Sequence, residues 1–234
     1  MKLALIGYGA MGKLVANLAG AAGDEIGLTV SSRDKSLAAA QLAVSLRGHD
    51  AAIDFSVSSA VLRNVEACAR AGVPLVEGTT GWHDQETDAR RLIAEYNGAL
   101  VYGANFSIGV NVFYRIVSHA ARLMAGLDQY QAFMEEEHHA RKRDAPSGTA
   151  LKLKDLMTEH IKTEIPIASV RAGHIPGTHR VGFDSAADQI MLTHTARSRE
   201  GFAAGALLAA RWIIGRKGMF EFSEVMNEVL RSDE

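Results

Sequence analysis

Short, continuous apolar runs alternate with helical patterns over the first hundred residues of the chain. Residues 2–6 are an apolar run that predicts a buried strand, and apolar positions at helical spacing follow from 11 to about 22. A second run covers 26–31. A third, 51–55, leads into a helical stretch at 61–70, and a fourth, 74–77, into a charged helix over 84–96. A fifth run at 99–102 closes the series. Apolar strands separated by helices pack into a parallel sheet covered on both faces. The rhythm predicts an α/β domain with a Rossmann-type doubly wound parallel sheet.

Beyond residue 106 the rhythm changes. Residues 107–124 read as one long helix, 130–134 as an alternating strand, and 149 to about 160 as a second helix. The runs at 167–171, 181–183 and 190–195 are strands with no helix between them. Strands in direct succession predict a second, α+β domain with an open mixed sheet. Helical patterns at 202–214 and 223–230 end the chain.

With 234 residues, 47% hydrophobic and 22% charged, the composition is that of an ordinary globular protein with a sizeable core. A formal net charge of −2 argues against nucleic acid or an anionic membrane as a partner. The longest apolar stretch, 202–214, is too short to span a bilayer and contains Arg211. A single cysteine, Cys68, in an apolar helical pattern fits a reducing compartment, and a cytoplasmic location is expected.

The first strand runs directly into Gly7-Tyr8-Gly9-Ala10-Met11-Gly12, which opens a helix. Glycines in this strand–turn–helix context allow a tight turn and bring a pyrophosphate against the helix N-terminus, so the segment is a candidate dinucleotide site. At the end of the second strand, a carboxylate would select a free ribose 2′-hydroxyl. Ser31, Ser32 and Arg33, with Lys35 nearby, suit a 2′-phosphate instead. NADPH is the expected cofactor, with NADH as an alternative. Three further segments follow strands where ligands of such sheets sit: Asp54-Phe55-Ser56, Gly78-Thr79-Thr80 and Ala104-Asn105-Phe106.

The segment 136–150 concentrates other chemistry. His138 and His139 titrate near neutral pH, Lys142 supplies an ammonium, and Ser147 or Thr149 could cap a helix whose free amides attract an anion. This set suits a small acidic substrate that must be held and given a proton. Solvated surface residues, or a metal-binding histidine pair, are the alternatives, and no further cluster with ligand spacing supports a metal.

The string Glu136-x-His138-His139-x-x-Lys142-x-Asp144-Ala145-Pro146-Ser147-Gly148-Thr149-Ala150 resembles the signature of the 4-hydroxy-tetrahydrodipicolinate (dihydrodipicolinate) reductases. The likeness extends to Gly78-Thr79-Thr80-Gly81, Asn105-Phe106-Ser107, Arg171-Ala172-Gly173 and 190–199. It implies that 1–106 and 202–234 form a dinucleotide-binding domain and 107–201 a substrate-binding and oligomerisation domain. It further implies NAD(P)H-dependent reduction of a small cyclic dicarboxylate in lysine and diaminopimelate biosynthesis, by a homotetramer with no metal. His138 would be the general acid and Lys142 its partner, with His139, Gly148 and Thr149 on a substrate carboxylate. Gly7, Tyr8, Gly9, Ala10, Met11, Gly12, Ser32, Arg33, Phe55, Gly78, Thr79, Thr80, Ala104, Asn105 and Phe106 would meet the cofactor. Many family members have one more residue in the first turn, and Arg143 stands where an apolar residue is common. No role is expected for His174, His179 or His194, and Glu137 is expected to be solvated. Arg33→Ala should weaken NADPH binding more than NADH binding; equal weakening in a fluorescence titration would remove the ribose argument.

Overall fold

A computed structural model of the chain describes residues 1–34 and 36–231, so Lys35 lies outside the described residues. The fold divides into two compact units, residues 1–108 with 199–234, and residues 109–198. The first opens with β1 (Lys2–Ile6), α1 (Ala10–Ala21), β2 (Glu25–Val30), α2 (Ala39–Leu46) and β3 (Ala51–Asp54). It continues with α3 (Val61–Ala71), β4 (Leu75–Glu77), α4 (Glu86–Glu95) and β5 (Ala99–Tyr102). Local chemistry marks several helix ends. α3 stops at Gly72, whose φ of +72° is the left-handed conformation that closes helices without a Cβ penalty. α4 carries Glu86 and Asp88 in its first turn, opposite the positive end of the helix dipole.

The second unit contains most of α5 (Ile108–Met124), then β6 (Gln131–His138), α6 (Gly148–Thr158), β7 (Ile167–Arg171), β8 (Thr178–Asp184) and β9 (Gln189–Thr195). Its sheet runs β7-β6-β8-β9, with β6 and β7 parallel and the other pairs antiparallel. Phe113, Val117 and Ala121 from α5 meet Ala150, Leu153 and Met157 from α6 over Ala132, Met134, Val181 and Phe183. The other sheet face carries Phe133, which fills the space left by Gly182, beside the exposed Val170 and Met191. Arg180 pairs there with Glu137 and, at 3.6 Å, with Glu135. Glu137 is therefore half-buried in an ion pair rather than simply solvated.

α7 (Glu200–Ile213), β10 (Gly218–Glu221) and α8 (Phe222–Arg231) complete the first unit. Its sheet is all parallel, in the order β10-β5-β4-β3-β1-β2. Consecutive residues of β1, β3, β4 and β5 are buried alternately toward opposite faces, so both sides of the sheet are covered, as the apolar runs predict. α2 and β10 are absent from the sequence reading. The first has only eight residues, and the second is a four-residue edge strand of mixed composition. Among the described residues no helix is long and apolar enough to cross a membrane.

α7 approaches the chain leaving β5 so closely that a Cβ on Gly205 would stand 1.8 Å from the Phe106 carbonyl oxygen. Gly205→Ala should therefore force a backbone shift and cost about 1–3 kcal/mol in denaturant unfolding. An unchanged unfolding midpoint would show that α7 has room to move.

Candidate functional site

Strand order reverses between β1 and β3, the position where doubly wound sheets take their ligands. A cavity of about 640 Å³ opens there, bordered by Gly7, Tyr8, Gly9, Ser32, Phe55 and Arg63. Gly7 has φ +87°, and a Cβ on it would lie 2.4 Å from the Phe55 carbonyl oxygen. A Cβ on Gly12 would lie 2.1 Å from the Gly7 carbonyl oxygen. These two glycines exist for close backbone packing. Gly9 differs: nothing lies within 4 Å of its Cβ position, and as N-cap of α1 it offers no side chain to the helix amides. An open helix N-terminus beside a cavity fits a pyrophosphate. Ala10 and Met11 form the first turn of α1 behind it.

The structure places the other expected cofactor residues unevenly. Ser32 borders the cavity, whereas Arg33 is exposed and is not part of its wall. Arg63 of α3 takes the place in the wall, donating to the Asp34 carbonyl at 3.3 Å and to Asn64 Oδ1 at 3.0 and 2.8 Å. Its sequence context is an ordinary amphipathic helix, which gave no signal. Gly78 packs under the Phe55 ring, and Thr79 Oγ1 accepts the Ser56 amide at 3.1 Å. Thr80 and Ala104 are exposed, and Asn105 Oδ1 accepts the Ser107 amide at 2.9 Å. The Phe106 ring is a core side chain, 4.6 Å from that of Phe222.

In the second unit β6 runs on through three glutamates to His138, four residues beyond the expected strand. Period-two alternation turns Glu136 and His138 inward after Ala132 and Met134. Glu136 is fully buried, and Arg171 grips it with two bonds, Nη2 to Oε1 at 2.6 Å and Nη1 to Oε2 at 2.9 Å. His138 Nδ1 donates to Glu136 Oε2, and the Ser147 amide donates to Oε1 at 3.3 Å. Of the two cap candidates Ser147 is the one used, its Oγ accepting the Ala150 amide at 3.2 Å. The same hydroxyl meets His179 Nε2 at 2.9 Å, and the His138 and His179 rings stand edge to face, 5.1 Å apart.

Lys142 Nζ lies 2.9 Å from Asp144, and the Gly148 amide also bonds that carboxylate. The His139 Nδ1 is buried without a partner among the described residues. Thus His138, Glu136, Arg171, Ser147 and His179 form one buried network, with Lys142, Asp144 and Gly148 in a second, more exposed group. Glu136, Arg171 and His179 were not assigned roles from sequence. For Glu136, continuing the strand's alternation past Met134 is the signal that finds it.

Burial alone would raise the Glu136 carboxyl, but hydrogen bonds from Arg171, Ser169 and His138 outweigh it and hold the group at about 2. Burial pushes His138 down, helped by Lys142 and Arg171, against the pull of Glu136, whose charge Arg171 already shares. Burial, then the neighbouring His138, brings His179 to about 4. Ligand atoms of Glu136, His138 and His179 lie within 4.8 Å of one another, the separation a metal would need. Both Glu136 oxygens already face Arg171, so a cation there would meet a fixed positive charge. His174 is exposed, and His194 packs 5.8 Å from Phe113.

Residues 1–106 match the family model described as dihydrodipicolinate reductase, N-terminus, and residues 109–226 the model described as its C-terminus. The chain belongs to the dihydrodipicolinate reductase family. A curated 4-hydroxy-tetrahydrodipicolinate reductase of Christiangramia forsetii is 36% identical over 251 aligned positions, covering 99% of this chain and 100% of that protein. Another from Archaeoglobus fulgidus is 36% identical over 198 positions, 76% of each chain. Among solved structures, a dipicolinate-bound dihydrodipicolinate reductase from a Paenisporosarcina species shares the fold, with TM-score 0.76 and 21% identity over 94% of this chain and 97% of that one. The six-stranded parallel sheet and the separate mixed sheet are therefore this family's architecture.

Glu136→Gln leaves the Arg171 guanidinium without its buried counter-charge and should cost about 3–5 kcal/mol in unfolding free energy. His179, near 4 in the folded protein against 6.5 as the ordinary value, stabilises fully above pH 6.5, and that contribution is lost as pH falls toward 4. His179→Gln should flatten the stability curve in that window. Parallel curves for the two proteins would assign the acid sensitivity to another group.

Proposed function

We propose that this chain reduces 4-hydroxy-tetrahydrodipicolinate to tetrahydrodipicolinate in lysine and diaminopimelate biosynthesis, using NADPH or NADH. The observation that carries the reading is a buried imidazole, His138, whose Nδ1 is held by Glu136 while Lys142 adds a nearby cation. The open N-terminus of α1 and the cavity beside it, in the same chain, suit the dinucleotide.

When bound, the nicotinamide supplies the hydride. The chain's own residues supply the proton and the field. With Nδ1–H directed to Glu136, Nε2 is the nitrogen of His138 that takes and gives a proton. Arg171 keeps Glu136 ionised, so the carboxylate orients the imidazole and steadies its charged form without itself being protonated. Lys142 assists proton delivery and offers positive charge to electrons accumulating in the substrate.

A substrate carboxylate is assigned to His139 and to the Gly148 and Thr149 amides at the start of α6. Asp144 supports this assignment by example: its own carboxylate sits on Lys142 Nζ and the Gly148 amide, so this corner already accommodates such a group. Ser32, Arg33 and Arg63 lie near the end of β2, where a ribose phosphate would be met. The uncovered sheet face with Phe133, Val170 and Met191 is the surface for assembly into a homotetramer.

A coupled assay with freshly generated substrate and both coenzymes tests the reaction; activity with aspartate alone would move the chain to another amino-dicarboxylate dehydrogenase. His138→Gln should lower kcat by about 10²–10⁴-fold. Lys142→Ala should lower kcat more than it weakens NADPH binding, and equal losses would place this lysine in the cofactor site.

A further inference from the structure

The carboxyl end of the parallel sheet contains an acid pair that the proposed reaction does not use. Asp54 ends β3 and Glu77 ends β4; they are register partners on adjacent strands, and both side chains are completely buried. Register partners present their side chains on the same sheet face. Asp54 accepts the Ser56 amide at 2.8 Å and the Asn64 side-chain amide at 2.6 Å. Glu77 Oε1 accepts the Thr79 amide at 2.8 Å, but its Oε2 is buried with no donor among the described residues.

The Ser56 and Thr79 amides and the Asn64 side chain, which donate to the two carboxyls, are all neutral. Continuing the row across the sheet, Ile6 of β1 lies beside Asp54, and Tyr102 of β5 beside Glu77. Ile6 is apolar, and the Tyr102 hydroxyl donates to Glu86 at 2.9 Å. From α3 come Asn64 and the buried Cys68 thiol, which the two acids push further up after burial itself. The Arg63 guanidinium stands behind Asn64, bonded to that amide's oxygen. Two carboxylates so placed would repel at low dielectric, whereas one proton on Glu77 Oε2 satisfies that atom and converts repulsion into a hydrogen bond. Burial raises both carboxyls, and the charge of Asp54 adds to the rise at Glu77.

We propose that Asp54 and Glu77 share a single proton at neutral pH, Glu77 donating to Asp54, and that the pair positions the two turns behind the dinucleotide cavity. The turns are directly knitted to it. The Ser56 amide bonds both Asp54 Oδ1 and Thr79 Oγ1, and the Gly78 amide bonds the Asp54 carbonyl at 2.9 Å. The Phe55–Ser56 backbone in turn lies under Gly7, leaving no space for a Cβ. Removing the proton drives the strand ends apart and loosens the floor of the glycine turn. Dinucleotide binding then weakens on the alkaline side, a consequence that rests on the function proposed above, whereas the shared proton does not.

Infrared spectroscopy of the wild-type protein at neutral pH should show a protonated-carboxyl C=O band that Glu77→Gln removes. Absence of that band overturns the shared proton, and the measurement stands even if the variant does not fold. Because the folded value of Glu77 lies above the ordinary 4.5, its contribution is present at low pH and lost as pH rises from there toward the folded value. Through that window the folding constant of Glu77→Gln should gain on the wild type by about tenfold per pH unit. Parallel stability curves overturn the proposal. In fluorescence titrations NADPH should dissociate more readily from the wild type, but not from Glu77→Gln, at alkaline pH. Matching pH profiles with the infrared band present would overturn the positioning role alone. No binding of NADPH or NADH at any pH would instead sink the cofactor reading.

Discussion

A carboxylate with no solvent exposure needs a cation or a shared proton, and for Glu136 the partner is the Arg171 guanidinium. The bidentate contact between them joins β6 to the end of the neighbouring strand β7. It lets a strand that begins with apolar residues continue inward with Glu136 and His138 in place of further hydrophobes. Without the guanidinium, burial would favour a protonated Glu136, and the imidazole would lose its fixed acceptor. His138 Nδ1 and the Ser147 amide at the start of α6 both bond the clamped carboxylate, and the Ser147 hydroxyl extends the network to His179. A cluster with metal-like spacing thus already contains its own fixed cation.

The nucleotide-type unit solves the opposite problem, keeping side chains out of the way. Gly7 and Gly12 are demanded by backbone contacts around the first turn, Gly78 by the Phe55 ring, and Gly205 by the approach of α7 to Phe106. At Gly9, by contrast, the missing side chain leaves open space, at the helix end where an anion would be received. Identical residues thus allow close packing in one place and leave open space in another. Beneath this turn the strand ends carry Asp54 and Glu77, whose buried acidity would be a defect unless neutralised by a proton. Both units therefore keep carboxyl groups inside, one ionised by an arginine and the other held by hydrogen bonding between acids.

Much of this organisation is present in local pattern. Alternating apolar runs and amphipathic helices specify the parallel sheet, because each strand must hide two faces and each helix only one. The glycine spacing after β1 and the His-His-Lys segment before α6 mark the chemistry, and the resemblance they carry agrees with the family models that match both halves of the chain. The helix cap is legible as a choice between Ser147 and Thr149, of which the structure uses Ser147. β6 extends past its apolar alternation because three successive glutamates give no hydrophobic period, and β10 is an edge strand of four residues with too little periodicity to register.

The sequence by itself determined the succession of elements apart from α2 and β10, the glycine turn, the imidazoles and the chain's family, since all of these are encoded in neighbouring residues. Only the tertiary structure decided which distant groups become partners. Arg171 reaches back 35 positions to Glu136, His179 reaches 32 to Ser147, and Asp54 meets Glu77 across adjoining strands. Whether a glutamate ends as a solvated charge, a clamped carboxylate or a buried acid depends on the dielectric and the counter-charge around it. Those are set by packing between segments far apart in the chain, which local spacing does not encode.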